Sequence, residues 1–218
     1  MQGPNEKRDL SRLGARPPAG VPVFILASNS PRRQELLRQA GYRFIVRPPP
    51  IDDRGVSAIV SPGAYAESLA YMKAMASIKG HDLKDGLVLA ADTLVELAGR
   101  IIGKPDNEAD ARRILSQLSG SQHRVITGLA LVDVAAGRRL LAHEVTAVRM
   151  RRMSPGEIDA YVAGGEAMGK AGAYALQETG DRFVEKIDGS LTNIVGLPME
   201  LLERMLKATG HRPEDFRE

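Results

Sequence analysis

Phe24-Ile25-Leu26-Ala27-Ser28-Asn29-Ser30-Pro31-Arg32-Arg33-Gln34-Glu35-Leu36-Leu37 is an apolar strand that breaks into small polar residues and then opens a helix. Ser30 suits the N-cap and Pro31 the first helical position, where a missing N–H costs nothing. Arg32 and Arg33 then fall in the first turn, where free backbone N–H groups and the positive end of the helix dipole favour a negative neighbour. Two cations there ask for an anion. A turn of small residues, free amides and two guanidinium forks can cradle a polyphosphate; the alternative is that both arginines lie on a solvated face.

Outward from that turn, Val21 to Ala27 reads as a strand covered on both faces, and the helix from Pro31 stops near Gly41. Tyr42 to Val46 is a second strand, followed by Pro48-Pro49-Pro50 and then Ile51-Asp52-Asp53. Ser61-Pro62 opens a helix in which Tyr65, Leu69, Met72 and Ala76 recur as a buried stripe, with Lys73 at its edge. Spacing alone reads Lys73 as a snorkelling side chain. Gly86 to Thr93 is a buried strand that carries Asp92 at its C-terminal end, the edge where open α/β sheets bind ligands. Leu94 to Ile102 continues as a strand pair turning at Ala98-Gly99, and Gly103-Lys104-Pro105 presents a lysine on a stiff loop.

Asn107 caps a helix to about Leu118, and Arg124–Val134 and Arg139–Met150 form an antiparallel hairpin across Ala135-Ala136-Gly137. Ser154 and Glu157 stand at capping-box spacing for a short helix. Phe183–Ile187 is a short strand, and the last helix runs from Pro198 to about Thr209. Parallel and antiparallel signals together predict an α/β fold with a mixed, twisted sheet flanked by helices. One domain over residues 21–210 is expected, between a disordered extension (1–20) and a polar C-terminal tail (211–218).

Composition narrows the function classes. The 218 residues are 43% apolar and 26% charged, and no apolar run approaches the roughly 20 residues of a membrane span. There is no cysteine, which excludes disulfides, thiol chemistry and cysteine-ligated zinc and fits a cytoplasmic setting. The four histidines, His81, His123, His143 and His211, lack metal-ligand spacing. The net charge is +3, but Lys7, Arg8, Arg12 and Arg16 against Glu6 and Asp9 put +2 in the first 20 residues, leaving +1 for the rest. A body so nearly neutral argues against a nucleic-acid polymer as partner.

Neither a P-loop, a G-x-S-x-G elbow nor an HExxH pattern occurs: Gly103-Lys104 is followed by Pro105 and Gly169-Lys170 by Ala171. What remains is a set of polar residues at strand ends and loop starts: Ser28, Ser30, Arg32, Arg33, Asp52, Lys73, Asp92, Lys104, Lys170 and Gln177. Were they to converge, they would suit a metal-bound polyphosphate, because magnesium takes one or two protein carboxylates and lets phosphates and waters complete its shell.

The pieces ILASNSPRR, IDD, the lysine of LAYMKA, LAADT, GKP, LSGSQHRVITG, KAGAYALQ and KIDGSLTNIVGLP follow one another in the order and spacing of the Maf family of nucleoside triphosphate pyrophosphatases, which residues 21–206 resemble. The resemblance implies two lobes around a deep nucleotide groove, a homodimer, and a divalent cation, Mg²⁺ or alternatively Mn²⁺. It implies Asp92 as the catalytic proton acceptor. Ser28, Ser30, Arg33, Lys73, Lys104 and Lys170 become substrate-binding positions, and Asp52 and Asp92 metal ligands. Arg32, Thr93 and Gln177 resemble the set of the branch that hydrolyses dTTP and UTP rather than 7-methyl-GTP. Glu178-Thr179-Gly180 and Leu191-Thr192-Asn193 depart from the family pattern. Two other readings stay open: a non-catalytic nucleotide-binding regulator of cell division, and a pyrophosphatase with a different base preference.

Overall fold

The computed structural model describes residues 21–51, 60–176 and 179–217. In chain order the elements are β1 (Phe24–Leu26), α1 (Pro31–Gln39), β2 (Ile45–Val46), α2 (Pro62–Gly80), β3 (Leu87–Leu97), β4 (Arg100–Ile102) and α3 (Glu108–Leu118). They continue with β5 (Gln122–Asp133), β6 (Arg138–Met150), α4 (Pro155–Ala163), β7 (Val184–Asp188), α5 (Leu191–Val195) and α6 (Met199–Ala208). The seven strands form one mixed sheet in the order β2-β1-β3-β5-β6-β7, with β4 also beside β3. The α/β class and the mixed sheet expected from the sequence are both present.

The decisive feature lies on one edge of β3. Its far edge pairs with β5 from Leu87 to Glu96 without a break. The near edge is shared: Leu87 to Leu89 pair in parallel with β1, and Val95 to Leu97 antiparallel with β4. On this near edge residues 90–94 have no strand beside them among the described residues. Asp92 sits in the middle of this opening. The sequence put Asp92 at the end of its strand. In fact β3 runs on to Leu97 because Leu94 and Val95 are as apolar as the residues before, and it is the parallel partner β1 that stops, where small polar residues turn the chain into α1.

Side chains alternate across β3. Val88 and Ala90 pack with Ala70 and Ala74 of α2 on one face. On the other face Leu87, Leu89 and Ala91 meet Leu36 and Leu37 of α1 and Leu201 to Leu206 of α6, whereas Val95 meets Ile114, Leu115 and Leu118 of α3. Two cores thus occupy two ends of one long face, which makes two lobes with a furrow between them over the opening. The α2 helix lies close to the sheet because it turns alanines inward. A Cβ on Gly128 of β5 would fall 2.2–2.4 Å from the backbone of Ala66 and Glu67, so glycine is required there.

Three expectations need correction. The buried face of α2 is Ala66, Leu69, Ala70, Ala74 and Ser77 rather than the stripe through Met72 and Ala76; Met72 is 39% exposed, because the sheet selects the small residues for close approach. Tyr42 does not begin a strand: it bridges to Arg217, and the second strand is only Ile45–Val46. The residues after 210 do not trail off either. A 3-10 turn at Pro213–Phe216 buries Phe216 against Phe24, ring centroids 5.1 Å apart, so the expected tail is part of the first core. The expected extension 1–20 lies outside the described residues.

One buried titratable group belongs to the second core. His123 on β5 is 1% exposed, and burial pushes its imidazole from 6.5 down to about 4, so it is neutral at pH 7. Below pH 6.5 the unfolded chain takes up a proton that the folded chain refuses, and stability falls until the pH reaches about 4. Denaturant titrations should show a loss of about 3 kcal/mol across this window, beyond that of a His123→Gln variant. Parallel curves for the two proteins would contradict the assignment.

Candidate active site

The site is assembled around the opening in β3 by the turn after β1. Ser30 caps α1, its Oγ accepting from the Arg33 amide at 3.5 Å, and no acidic residue occupies the first turn. Arg32 and Arg33 therefore stand at a helix N-terminus that has no anion of its own. The two arginines then divide. Arg33 is turned into the frame: its Nε donates to the Gly196 carbonyl at 2.8 Å and its Nη1 to the Ala91 carbonyl at 2.9 Å. Nη1 also reaches Ser28 Oγ, and Nη2 reaches Thr93 Oγ1, both at 3.2 Å. The Ala91 carbonyl belongs to the stretch of β3 whose near edge has no strand beside it among the described residues, and the guanidinium supplies a donor there.

A polar chain continues from Arg33 through the sheet. Thr127 Oγ1 donates to the Asn193 carbonyl at 3.0 Å, so in its 3.0 Å contact with Thr93 it accepts, and Thr93 in turn accepts from Arg33. Asn193 Nδ2 donates to the Val125 carbonyl and to Thr146 Oγ1 at 3.0 and 2.9 Å. This buried series ties α1, β3, β5, β6 and α5 together beneath the furrow. It fixes Thr93, whose hydroxyl is thereby part of the frame as well as of the cleft wall.

Asp92 projects to the α2 face, where the Lys73 ammonium bonds Oδ1. The two side chains are 8% and 15% exposed, so the sequence reading of Lys73 as a merely snorkelling residue is corrected: an ion pair explains its position at the edge of the α2 stripe. The ammonium places a positive charge directly beside the carboxylate. Removing either partner would take a close counter-charge from a largely buried group.

From the other lobe come two more cations. Lys104 leaves β4 on Gly103-Lys104-Pro105, and the Gly103 carbonyl accepts from Gly172 N at 3.2 Å. That bond brings the Lys104 loop beside the Lys170 loop. Lys170 Nζ donates to the Glu166 carbonyl at 2.6 Å, and the Glu166 carboxylate accepts from both the amide and the hydroxyl of Thr179 at 3.0 and 2.9 Å. Ser30, Arg32, Arg33, Lys73, Asp92, Thr93, Lys104 and Lys170 all line a single cavity of about 180 Å³. A wider cavity of about 590 Å³ adjoins it and shares Asp92, Thr93 and Lys104.

The structure thus brings together most of the candidates named from the sequence. Ser28 is buried behind the turn, accepting from Ser30 N at 3.2 Å as well as from Arg33, and serves the frame. Asp52 and Gln177 lie outside the described residues. Sequence reasoning passed over Val95, Val125, Tyr174, Leu176 and Ile194, which give the cavity an apolar wall. Only the aromatic Tyr174 within a run of small residues offered a signal. Asp92 offers one carboxylate to a divalent ion, which commonly takes one or two from the protein and completes its shell with phosphates and waters.

Known proteins resemble this chain over most of its length. A model of the Maf-like protein family matches residues 23–209. A dTTP/UTP pyrophosphatase of Moorella thermoacetica is 46% identical over 187 residues, spanning 86% of this chain and 95% of that protein. Those of Pelotomaculum thermopropionicum and Anaeromyxobacter sp. are 43% and 45% identical, with 86% of this chain covered in each case and 97% and 90% of the relatives. The solved structure of a HAM1 protein from Coxiella burnetii superposes with a TM-score of 0.48 at 20% identity, over 86% of this chain and all of that one. The family match runs through every element that frames the opening in β3, from β1 to α6, and this chain belongs to the Maf family.

Proposed function

We propose that this protein hydrolyses dTTP and UTP between the α and β phosphates, giving the nucleoside monophosphate and pyrophosphate. The observation that carries the reading is one cleft lined by Arg32, Arg33, Lys73, Lys104 and Lys170 together with Asp92, which is paired with Lys73. Five cations against one carboxylate among the described lining residues leave a surplus positive field of the kind that a triphosphate would offset. The names of the relatives point to the same substrates.

In this reading the triphosphate tail lies between the N-terminus of α1 and the two lysine loops. Lys104 and Lys170 take up charge that grows on the leaving pyrophosphate, and Arg32 serves the phosphates from the helix end. Asp92 orients a water toward the α-phosphorus and accepts its proton; a P–O bond forms as the bond to the bridging oxygen breaks and pyrophosphate departs. Lys73 holds Asp92 in place, and Arg33 positions the rim of the opening. A divalent ion, Mg²⁺ or Mn²⁺, held by Asp92 with Asp52, would lower the pKa of a bound water and neutralise phosphate charge. Arg32, Thr93 and Gln177 set the preference for pyrimidines, and the enzyme works as a cytoplasmic homodimer, as the family resemblance implies.

Replacing Asp92 with Asn should reduce pyrophosphate release from UTP by roughly a hundredfold or more while nucleotide still binds. Undiminished turnover would remove Asp92 from the chemistry. A wild-type protein that binds triphosphates but releases no pyrophosphate with either metal would favour the regulator over the enzyme.

Substitutions at Arg32 and Gln177 should instead change the ratio of UTP to GTP hydrolysis in a competition assay. Equal slowing of both nucleotides would contradict the specificity assignment.

A further inference from the structure

One hydroxyl reaches the cleft through its neighbour. Thr127 of β5 is fully buried and is not among the residues that line either cavity, but it stands directly across from Thr93 in the β3 to β5 register. Three oxygens lie in a row, the Asn193 carbonyl, Thr127 Oγ1 and Thr93 Oγ1, with 3.0 Å at each step. Two oxygens that close need a hydrogen between them. The carbonyl has none to give, and each hydroxyl has one. Thr127 therefore donates to Asn193, and Thr93 donates to Thr127.

The Thr93 hydrogen is thus used inside the sheet. Of the two lone pairs on its oxygen, one accepts from Arg33 Nη2 at 3.2 Å. What remains is one acceptor. It stands beside the cavity, because Gly196 lines the cleft along with Thr93, and a Cβ on Gly196 would come 3.3 Å from Thr93 Oγ1. The missing side chain leaves room for a ligand atom against that oxygen.

The surroundings say which ligand atom suits it. Two residues on along the same face of the sheet, Val95 pairs with Val125, and both line the cleft with Ile194. A flat, largely apolar ring fits that wall, with its edge toward Thr93. Phosphate oxygens are acceptors themselves and do not suit an oxygen that can only accept; they fit the cations of α1, α2 and the two lysine loops.

We propose that Thr127 is a positioning residue for base choice: by taking the hydrogen of Thr93, it makes that hydroxyl an acceptor for the ring N–H at position 3 of uracil or thymine. This rests on the cleft being a nucleotide site. Cytosine has a bare nitrogen acceptor at the same position, and two acceptors brought face to face repel. Guanine carries a ring N–H as well, so this contact sorts uracil from cytosine and leaves purines to the rest of the site.

The test measures the affinities of α,β-imido-UTP and α,β-imido-CTP by competition with a fluorescent UTP derivative, so that no turnover is needed. Thr127→Val keeps the shape and removes the hydroxyl; the Asn193 carbonyl still accepts from the Gly196 amide at 3.0 Å, and the Thr93 hydrogen is released. The preference for uracil over cytosine should fall about tenfold in this variant, whereas Thr127→Ser should keep the wild-type ratio. The wild type should also bind 3-methyl-UTP, whose ring N–H is blocked, roughly tenfold more weakly than UTP. An unchanged ratio in Thr127→Val, which a contact from Thr93 to a ribose hydroxyl would give, overturns the proposal. So does full wild-type affinity for 3-methyl-UTP, a result that can be read even where Thr127→Val does not fold, and so does a protein that binds no nucleotide. A protein that binds these nucleotides but releases no pyrophosphate from UTP would overturn the proposed activity, while the affinities still decide this contact.

Discussion

The structure depends on an interruption. A strand in the middle of a sheet ordinarily has both edges paired, and among the described residues the near edge of β3 has no strand over residues 90–94, because β1 ends at Leu26 and β4 reaches only Val95. Unpaired backbone in a protein interior is costly, so the opening needs its own partners. Arg33 supplies one, bonding the Ala91 carbonyl from α1 while it grips the Gly196 carbonyl on the far side. A single guanidinium therefore spans the gap and joins the turn after β1 to the turn after α5. Its planar fork is what makes this possible, since a lysine has no fixed set of donor directions.

The same interruption makes a site. Where the edge is open, Asp92 and Thr93, from opposite faces of β3, both line one cavity. Asp92 points to α2 and pairs with Lys73, and Thr93 points the other way to Arg33 and Thr127. Consecutive residues on a strand thus serve two functions on two faces, one chemical and one architectural. Cations then converge from three directions: the first turn of α1, the middle of α2, and the two loops tied by the Gly172 to Gly103 bond. None of these loops holds its lysine alone.

Much of this was legible in the sequence, and the reasons are local. Ser30-Pro31, Ser61-Pro62 and the Ser154 capping box announced three helix starts that the structure keeps, because cap chemistry acts within one turn. The pairing of Lys73 with Asp92, nineteen residues apart, was not legible, since it depends on how α2 rotates on the sheet. That rotation is set by Ala66, Ala70 and Ala74 against Gly128, a close-packing effect that a count of large apolar residues misses. Arg33 looked like a phosphate ligand for the same reason that Arg32 did. Only the missing strand beside β3 reveals that its guanidinium is engaged with backbone carbonyls. Phe216 was lost among the charged residues at the end of the chain, although its burial closes the first core.

The central claim is that the opening in β3 is where the triphosphate sits. A crystal structure of the protein with Mg²⁺ and α,β-imido-UTP tests it most directly. The account predicts phosphate oxygens within hydrogen-bond distance of Lys104 and Lys170, the α-phosphorus beside Asp92, and Arg33 still bonded to the Ala91 and Gly196 carbonyls. A nucleotide bound elsewhere, with the opening closed or empty, would contradict it.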